Sequence, residues 1–165
     1  MSKEEIVNLV LDMYAVRKEV REFLEYRVSP KDEVWLKKYK DIIRAEFYPD
    51  DNVFEPQLRF SVCRKAVSDF KKMNPSADAL AELMIYYMEC AFQFSYQLGP
   101  MWEQYYTSVA NNFNRTLQHI VANGLWDKYE GRLEQCVKWA SNGAYDFEEI
   151  IPQLYEEARM EAKGT

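Results

Sequence analysis

The sequence holds one histidine, five glycines, three cysteines and three threonines in 165 residues. Each scarcity removes a class of chemistry. The single His119 cannot furnish a multi-histidine metal site, and no metal or cofactor is expected. Five glycines leave no room for a loop that cradles a phosphate in backbone N–H groups. Cys63, Cys90 and Cys136 are odd in number and widely spaced, so they fit neither a disulfide framework nor a CxxC site. A reducing cytoplasm is the expected compartment. Threonine occurs only at positions 107, 116 and 165. Strand formers are too sparse and irregular for a sheet. The charged start Met1-Ser2-Lys3-Glu4-Glu5 is followed by no apolar run of signal-peptide type. No stretch approaches the ~18 apolar residues of a membrane span, so no membrane partnership is expected.

What is present is a chain with 48% hydrophobic and 29% charged residues. That balance excludes disorder. The length fits one domain over residues 1–165, able to bury a core without disulfides or metal. The net charge of −6 is unevenly spread. Residues 1–73 carry 15 basic and 14 acidic side chains, and residues 74–165 carry 6 and 13. No Lys or Arg occurs between Lys72 and Arg115. The acidic back half should repel nucleic acid. The front half has one basic cluster, Arg59, Arg64, Lys65, Lys71 and Lys72, expected as a solvated helix face.

Apolar spacing is helical throughout, and breakers cut the chain into six or seven segments. Ser2 and Glu5 form a capping box that opens the first helix. Its apolar stripe is Ile6, Leu9, Val10, Met13, Val16, Val20 and Leu24. Arg17 interrupts that stripe. An unpaired buried charge is costly, so a break near residue 16 is expected. Ser29-Pro30 ends this region. A second helix starts at Pro30, with Asp32 and Glu33 favoured in its first turn by the helix dipole. It presents Trp35, Tyr39, Ile42, Ile43 and Phe47. A loop follows from Tyr48 to about Pro56. The third helix, about 58–73, buries Leu58, Val62, Ala66, Val67, Phe70 and Met73. The fourth, about 77–98, is apolar on most sides and so should be packed on most sides, as the central helix. Helices over 101–122, from 125 to before Asn142-Gly143, and from Asp146 complete the chain. Trp102 is expected to face inward, and the last helix carries Ile150, Ile151, Leu154, Tyr155 and Ala158. Asp146 is expected to cap the last helix, and Pro152 to kink it or shift its start.

Short connections imply antiparallel neighbours. The expected fold is all-α: a single domain of six to seven antiparallel helices. It is either an irregular bundle or a short HEAT-like superhelix, with helix 77–98 central.

One constellation stands out. Glu82, Tyr86, Glu89 and Gln93 form the only polar strip on helix 77–98, at i, i+4, i+7 and i+11. Lining a cleft, a desolvated Glu there could gain a raised pKa suited to general-base work. Arg59 and Asp69 project within the buried arc of the preceding helix and complete the candidate cleft. The competing reading is that this strip is the helix's solvent edge. Glu-x-x-His motifs are absent, which excludes a di-iron carboxylate site. His119 lies in a polar row with Ser108, Asn112 and Arg115, at the boundary of an apolar face. Cys63, beside Arg64 and Lys65, is the one thiol in a cationic setting. Tyr26, Phe92, Tyr96 and Phe147 lie off the main stripes and could form an exposed patch of the kind that marks partner surfaces.

Four stretches carry a resemblance. They are Tyr39-Lys40-Asp41-Ile42-Ile43 leading to Glu46-Phe47-Tyr48-Pro49; Ala66-Val67-Ser68-Asp69-Phe70-Lys71-Lys72; Leu80-Ala81-Glu82-Leu83-Met84 with Tyr87 and Glu89; and Asn123-Gly124-Leu125 with Asp127-Lys128. Together they resemble a family of small, all-helical bacterial proteins of unknown function, over most of the chain. The resemblance implies no activity, cofactor or catalytic residue, and points to Asp69, Glu82 and Glu89 as positions to test.

The sequence thus favours a cytoplasmic, non-catalytic protein–protein interaction or scaffold module, working with a protein partner or as a homo-oligomer. Its alternative is a small-molecule-binding protein or enzyme using the carboxylate and tyrosine cleft. A nucleic-acid regulator acting through helix 58–73 is disfavoured by charge.

Overall fold

A computed structural model of the chain describes residues 1–50 and 55–164. Part of the loop expected after Tyr48 (residues 51–54) and the terminal Thr165 lie outside the described residues. The elements are α1 (Lys3–Val16), α2 (Lys18–Val28), α3 (Asp32–Phe47), α4 (Phe60–Lys72), α5 (Ala77–Leu98), α6 (Glu103–Ala122), α7 (Trp126–Trp139), a 3-10 turn (Ala140–Asn142) and α8 (Phe147–Lys163). No strand occurs among the described residues.

The first helical region is two helices. Arg17 is extended, with φ −113° and ψ 116°, and separates α1 from α2. The interruption of the apolar stripe is therefore a real break, and it raises the number of helices to eight. The capping box holds: the Ser2 hydroxyl accepts from the Glu5 N–H at 3.1 Å, and the Glu5 carboxylate accepts from the Ser2 N–H.

α5 is central. It packs against α3, α4, α6 and α7, and twelve of its residues are buried. Every substantial contact between α-helices joins helices one or two places apart in the chain, a pattern that an antiparallel bundle and an array of stacked helix pairs share. Cross-links fix the helix directions. Ser76 bonds Asp32 at the start of α3, Lys40 bonds Glu82, and Tyr48 bonds Gln97, so α3 and α5 run the same way. Lys128 with Asp78 and Arg132 with Glu82 align α7 with them. His119, near the end of α6, bonds Ala77 at the start of α5, so α6 runs opposite. Lys163 on Glu130 and Tyr155 on Glu134 set α8 against α7.

The core is aromatic. Phe92 stands edge-on to Phe113 at 5.1 Å and stacks on Phe147 at 5.5 Å. Such pairs add to simple area burial. This overturns part of the expected exposed patch. Tyr26, Phe92 and Phe147 are buried, and only Tyr96 is exposed. Phe92 and Phe147 lie off the principal stripes because α5 is covered on several sides, which a one-face stripe does not anticipate.

Other expectations shift at helix ends. Trp102 sits at the N-cap of α6 and is half exposed. Asp146 holds the N-cap position of α8 in a left-handed conformation, φ 62°, and makes no side-chain cap bond. Pro152 lies inside α8. All seven residues expected to form the first apolar stripe stay exposed or only half-buried.

Candidate functional site

The α5 strip is flanked by α3 and α7. The Lys40 ammonium on α3 donates to Glu82 Oε1 at 2.8 Å and stands 5.1 Å over the Tyr86 ring. The Arg132 guanidinium on α7 donates to both Glu82 and Glu89. Glu82, Tyr86, Glu89 and Gln93 are each half-buried. Two cations thus meet two carboxylates, and the strip is neutral overall.

The electrostatics follow from this pairing. Burial opposes ionisation of Glu82, but hydrogen bonds from Arg132 and Lys40 outweigh it, and the carboxyl sits below its ordinary value of 4.5. Burial likewise opposes the Arg132 charge, and its bonds to Glu82 and Glu89 overcome that, holding it firmly protonated. Burial, with Cys90 adding, pushes the Tyr86 hydroxyl up to about 12. A general base works best with a pKa near the operating pH. Glu82 is displaced the other way, and its oxygens are already bonded. What this arrangement does is tie three helices together.

Arg59 and Asp69 do not join the strip. Arg59 grips Glu46, which is 3% exposed: its guanidinium donates to Oε1 at 2.7 Å and its backbone N–H to Oε2 at 3.0 Å. This clasp secures the chain where it enters α4. Asp69 pairs with Lys65 on its own helix at 2.6 Å. Helical phase put both in the buried arc, but Arg59 stands at the N-cap of α4 and is exposed, while Asp69 is half-buried. His119 is half-buried, and its Nε2–H donates to the Ala77 carbonyl at 2.9 Å. Cys63 is fully buried, and burial pushes its thiol up to about 12, so the cationic neighbours in sequence do not activate it. Among the described residues, no group of three or more His, Cys, Asp and Glu stands close enough to hold a metal ion, and no helix is long and apolar enough to cross a membrane.

Sequence reasoning does not single out Lys40 or Arg132 as site residues, although for Arg132 a signal existed. The back half has only six cations among thirteen acids. In such surroundings most cations should find a carboxylate. Lys128, Arg132, Arg159 and Lys163 do.

A second surface is built by α1. This helix buries no residue. Ile6, Val7, Leu9, Leu11, Met13 and Val16 are all exposed, Leu9 at 47% and Val16 at 77%. The reason is geometric. Apolar residues cover well over half of the α1 circumference, yet among the described residues α1 packs to any extent on α2 alone. Only Val10 and Tyr14 turn inward far enough to be half-buried. The two helices are tied by Tyr14, whose hydroxyl donates to Glu25 at 2.8 Å, and by Arg21, which donates to the Tyr14 and Ala15 carbonyls. Beneath the hairpin lies a cavity of about 430 Å³, lined by Val10, Met13, Phe23, Leu24, Tyr39 and Met73 among others.

Comparison with known proteins adds one finding. A family described as "Family of unknown function (DUF6155)" matches residues 1–156. No curated protein and no solved structure matches the chain.

Proposed function

We propose that this chain, which belongs to DUF6155, is a non-catalytic protein–protein interaction module, and that α1 is the face through which two copies associate. The observation that carries the reading is the uncovered aliphatic face of α1. Soluble monomers rarely leave contiguous apolar patches larger than a few hundred Å² in water, and larger ones mark partner surfaces. This face lies within the stretch matched by the family.

Charge favours a second copy as the partner. Glu4 and Glu5 stand in the first turn of α1, while Arg17, Lys18 and Arg21 cluster just past its end. Two α1 helices paired antiparallel about a two-fold axis would set the acids of one beside the cations of the other, and twice over. The carboxylate strip weighs against the catalytic alternative, since both glutamates are already charge-paired. Compartment follows the thiols. Cys63, Cys90 and Cys136 are free and buried, a state natural to a reducing cytoplasm.

The test is the mass of the chain in solution by size exclusion with light scattering. A dimer is expected that falls apart on Leu9→Glu with the helical circular dichroism unchanged. A wild-type chain that stays strictly monomeric at high concentration sinks the reading.

A further inference from the structure

α4 and α6 both pack on α5 but not on each other to any extent. A cavity of about 540 Å³ lies between them, within the range of small-molecule sites. Leu80, Met84 and Tyr87, one α5 turn apart, line it. α4 contributes Arg64, Val67 and Lys71, and α6 contributes Asn112 and Arg115. The basic cluster of the front half and the polar row of His119 thus face one another, a meeting that neither helix announces alone.

The charge is one-sided. The chain carries a net −6, yet no Asp or Glu lines this cavity. Arg64, Lys71 and Arg115 make no ion pair among the described residues. For Arg115 this is telling, because four of the six back-half cations are paired. Both ring nitrogens of His119 are engaged elsewhere: Nε2 lies 2.9 Å from the Ala77 carbonyl oxygen and Nδ1 lies 3.3 Å from the Asn123 amide nitrogen.

An independent observation points the same way. Tyr87 is 2% exposed, and its hydroxyl has no hydrogen-bond partner. A buried donor left unbonded is costly, and native structures rarely tolerate it without a reason. Burial pushes this hydroxyl far above its ordinary value, Cys63 adds to that, and the charges of Arg64 and Arg115 act against it. Arg64, Arg115 and Tyr87 line the same cavity.

We infer that the gap between α4 and α6 binds a small organic oxyanion, its apolar body over Val67, Leu80 and Met84 and its carboxylate or phosphate head between Arg64 and Arg115, with the covered Tyr87 hydroxyl turning to donate to it on binding. Guanidinium forks suit either head group, because each offers paired N–H donors to paired oxygens. The site is independent of the α1 reading, since neither α1 nor α2 lines the cavity.

The experiment titrates the intact, isotope-labelled chain with octanoate and with octyl phosphate below their micelle concentrations. 1-Octanol and inorganic phosphate run in parallel, and amide resonances are followed. Saturable shifts confined to α4, α5 and α6 are expected with at least one amphiphilic anion, and the tighter binder names the head group. Arg64→Gln with Arg115→Gln should weaken that binding roughly tenfold or more, without moving the melting temperature, because both side chains are exposed. Tyr87→Phe should weaken it less. The proposal is overturned by 1-octanol binding as tightly as the anions, by shifts centred on α1 and α2, by an unchanged Kd in the double variant, or by no saturable shift with either anion.

Discussion

α1 and α5 are both rich in aliphatic residues, yet α5 buries twelve of its 22 residues and α1 none of its 14. Composition does not separate them. Neighbours do. α5 has helices on several sides and satisfies an apolar circumference. α1 has one neighbour and leaves its flanks in water. An apolar helix is thus a statement about how many partners it needs, and α1 has fewer than its sequence calls for.

The largest expected effect tests the buried side of this contrast. Phe92→Ala removes a ring packed between Phe113 and Phe147 and should cost about 3–5 kcal/mol in denaturant unfolding. A cost near zero would mean that the centre of the bundle is not packed as described. Next comes the seam between α5 and its neighbours. Arg132→Gln leaves Glu82 and Glu89 facing each other with only Lys40 as counter-charge. Half-exposed ion pairs of this kind fall between surface and buried magnitudes, so a loss of about 1–2 kcal/mol is expected.

The seam also fixes a pH dependence. The folded state holds Glu82 below its ordinary 4.5. Its ion pairs therefore contribute stability above that pH, and the contribution is lost as pH falls through the lower folded value. Urea midpoints followed down to about pH 3 should show this acid limb, and Arg132→Gln should flatten it. A limb unchanged in the variant would assign acid sensitivity elsewhere, to Glu46 or Asp78, which are also held low. The smallest effect belongs to α1. At dilutions where the chain is monomeric, Leu9→Ala should shift stability by no more than about 0.5 kcal/mol, as at other exposed positions. A loss above about 2 kcal/mol would show that α1 is covered within a single copy.

Much of the fold could be read before the structure. The span of α5 matches its expected 77–98 bounds residue for residue, because Ser76 caps one end and Gly99-Pro100 stops the other. The break at Arg17 was legible because a charge cannot sit unpaired in an apolar stripe. Bundle and superhelix are not distinguished by the sequence, since both use the same short connections and both bring helices two places apart into contact. The strip on α5 was found, but its chemistry was not. Glu82 and Glu89 look like candidate bases until Arg132, about fifty residues away in sequence, is seen to bond both. Helical phase says which way a side chain points and nothing about what arrives there. The same limit hid the meeting of Arg64 with Arg115.

α5 sits at the middle of the bundle and also near the middle of the chain. Side-chain hydrogen bonds among the described residues span at most 51 positions, so no helix must search far along the polypeptide for its partner. Assembly can begin at residues 77–98 and spread toward both ends, with each added helix closing a short loop. Chains whose contacts are this local fold quickly, because little loop entropy is lost before packing repays it. On that account the hairpin of α1 and α2, with the least to bury, is expected to join last and open first, which native-state hydrogen exchange would read as the weakest amide protection in the chain.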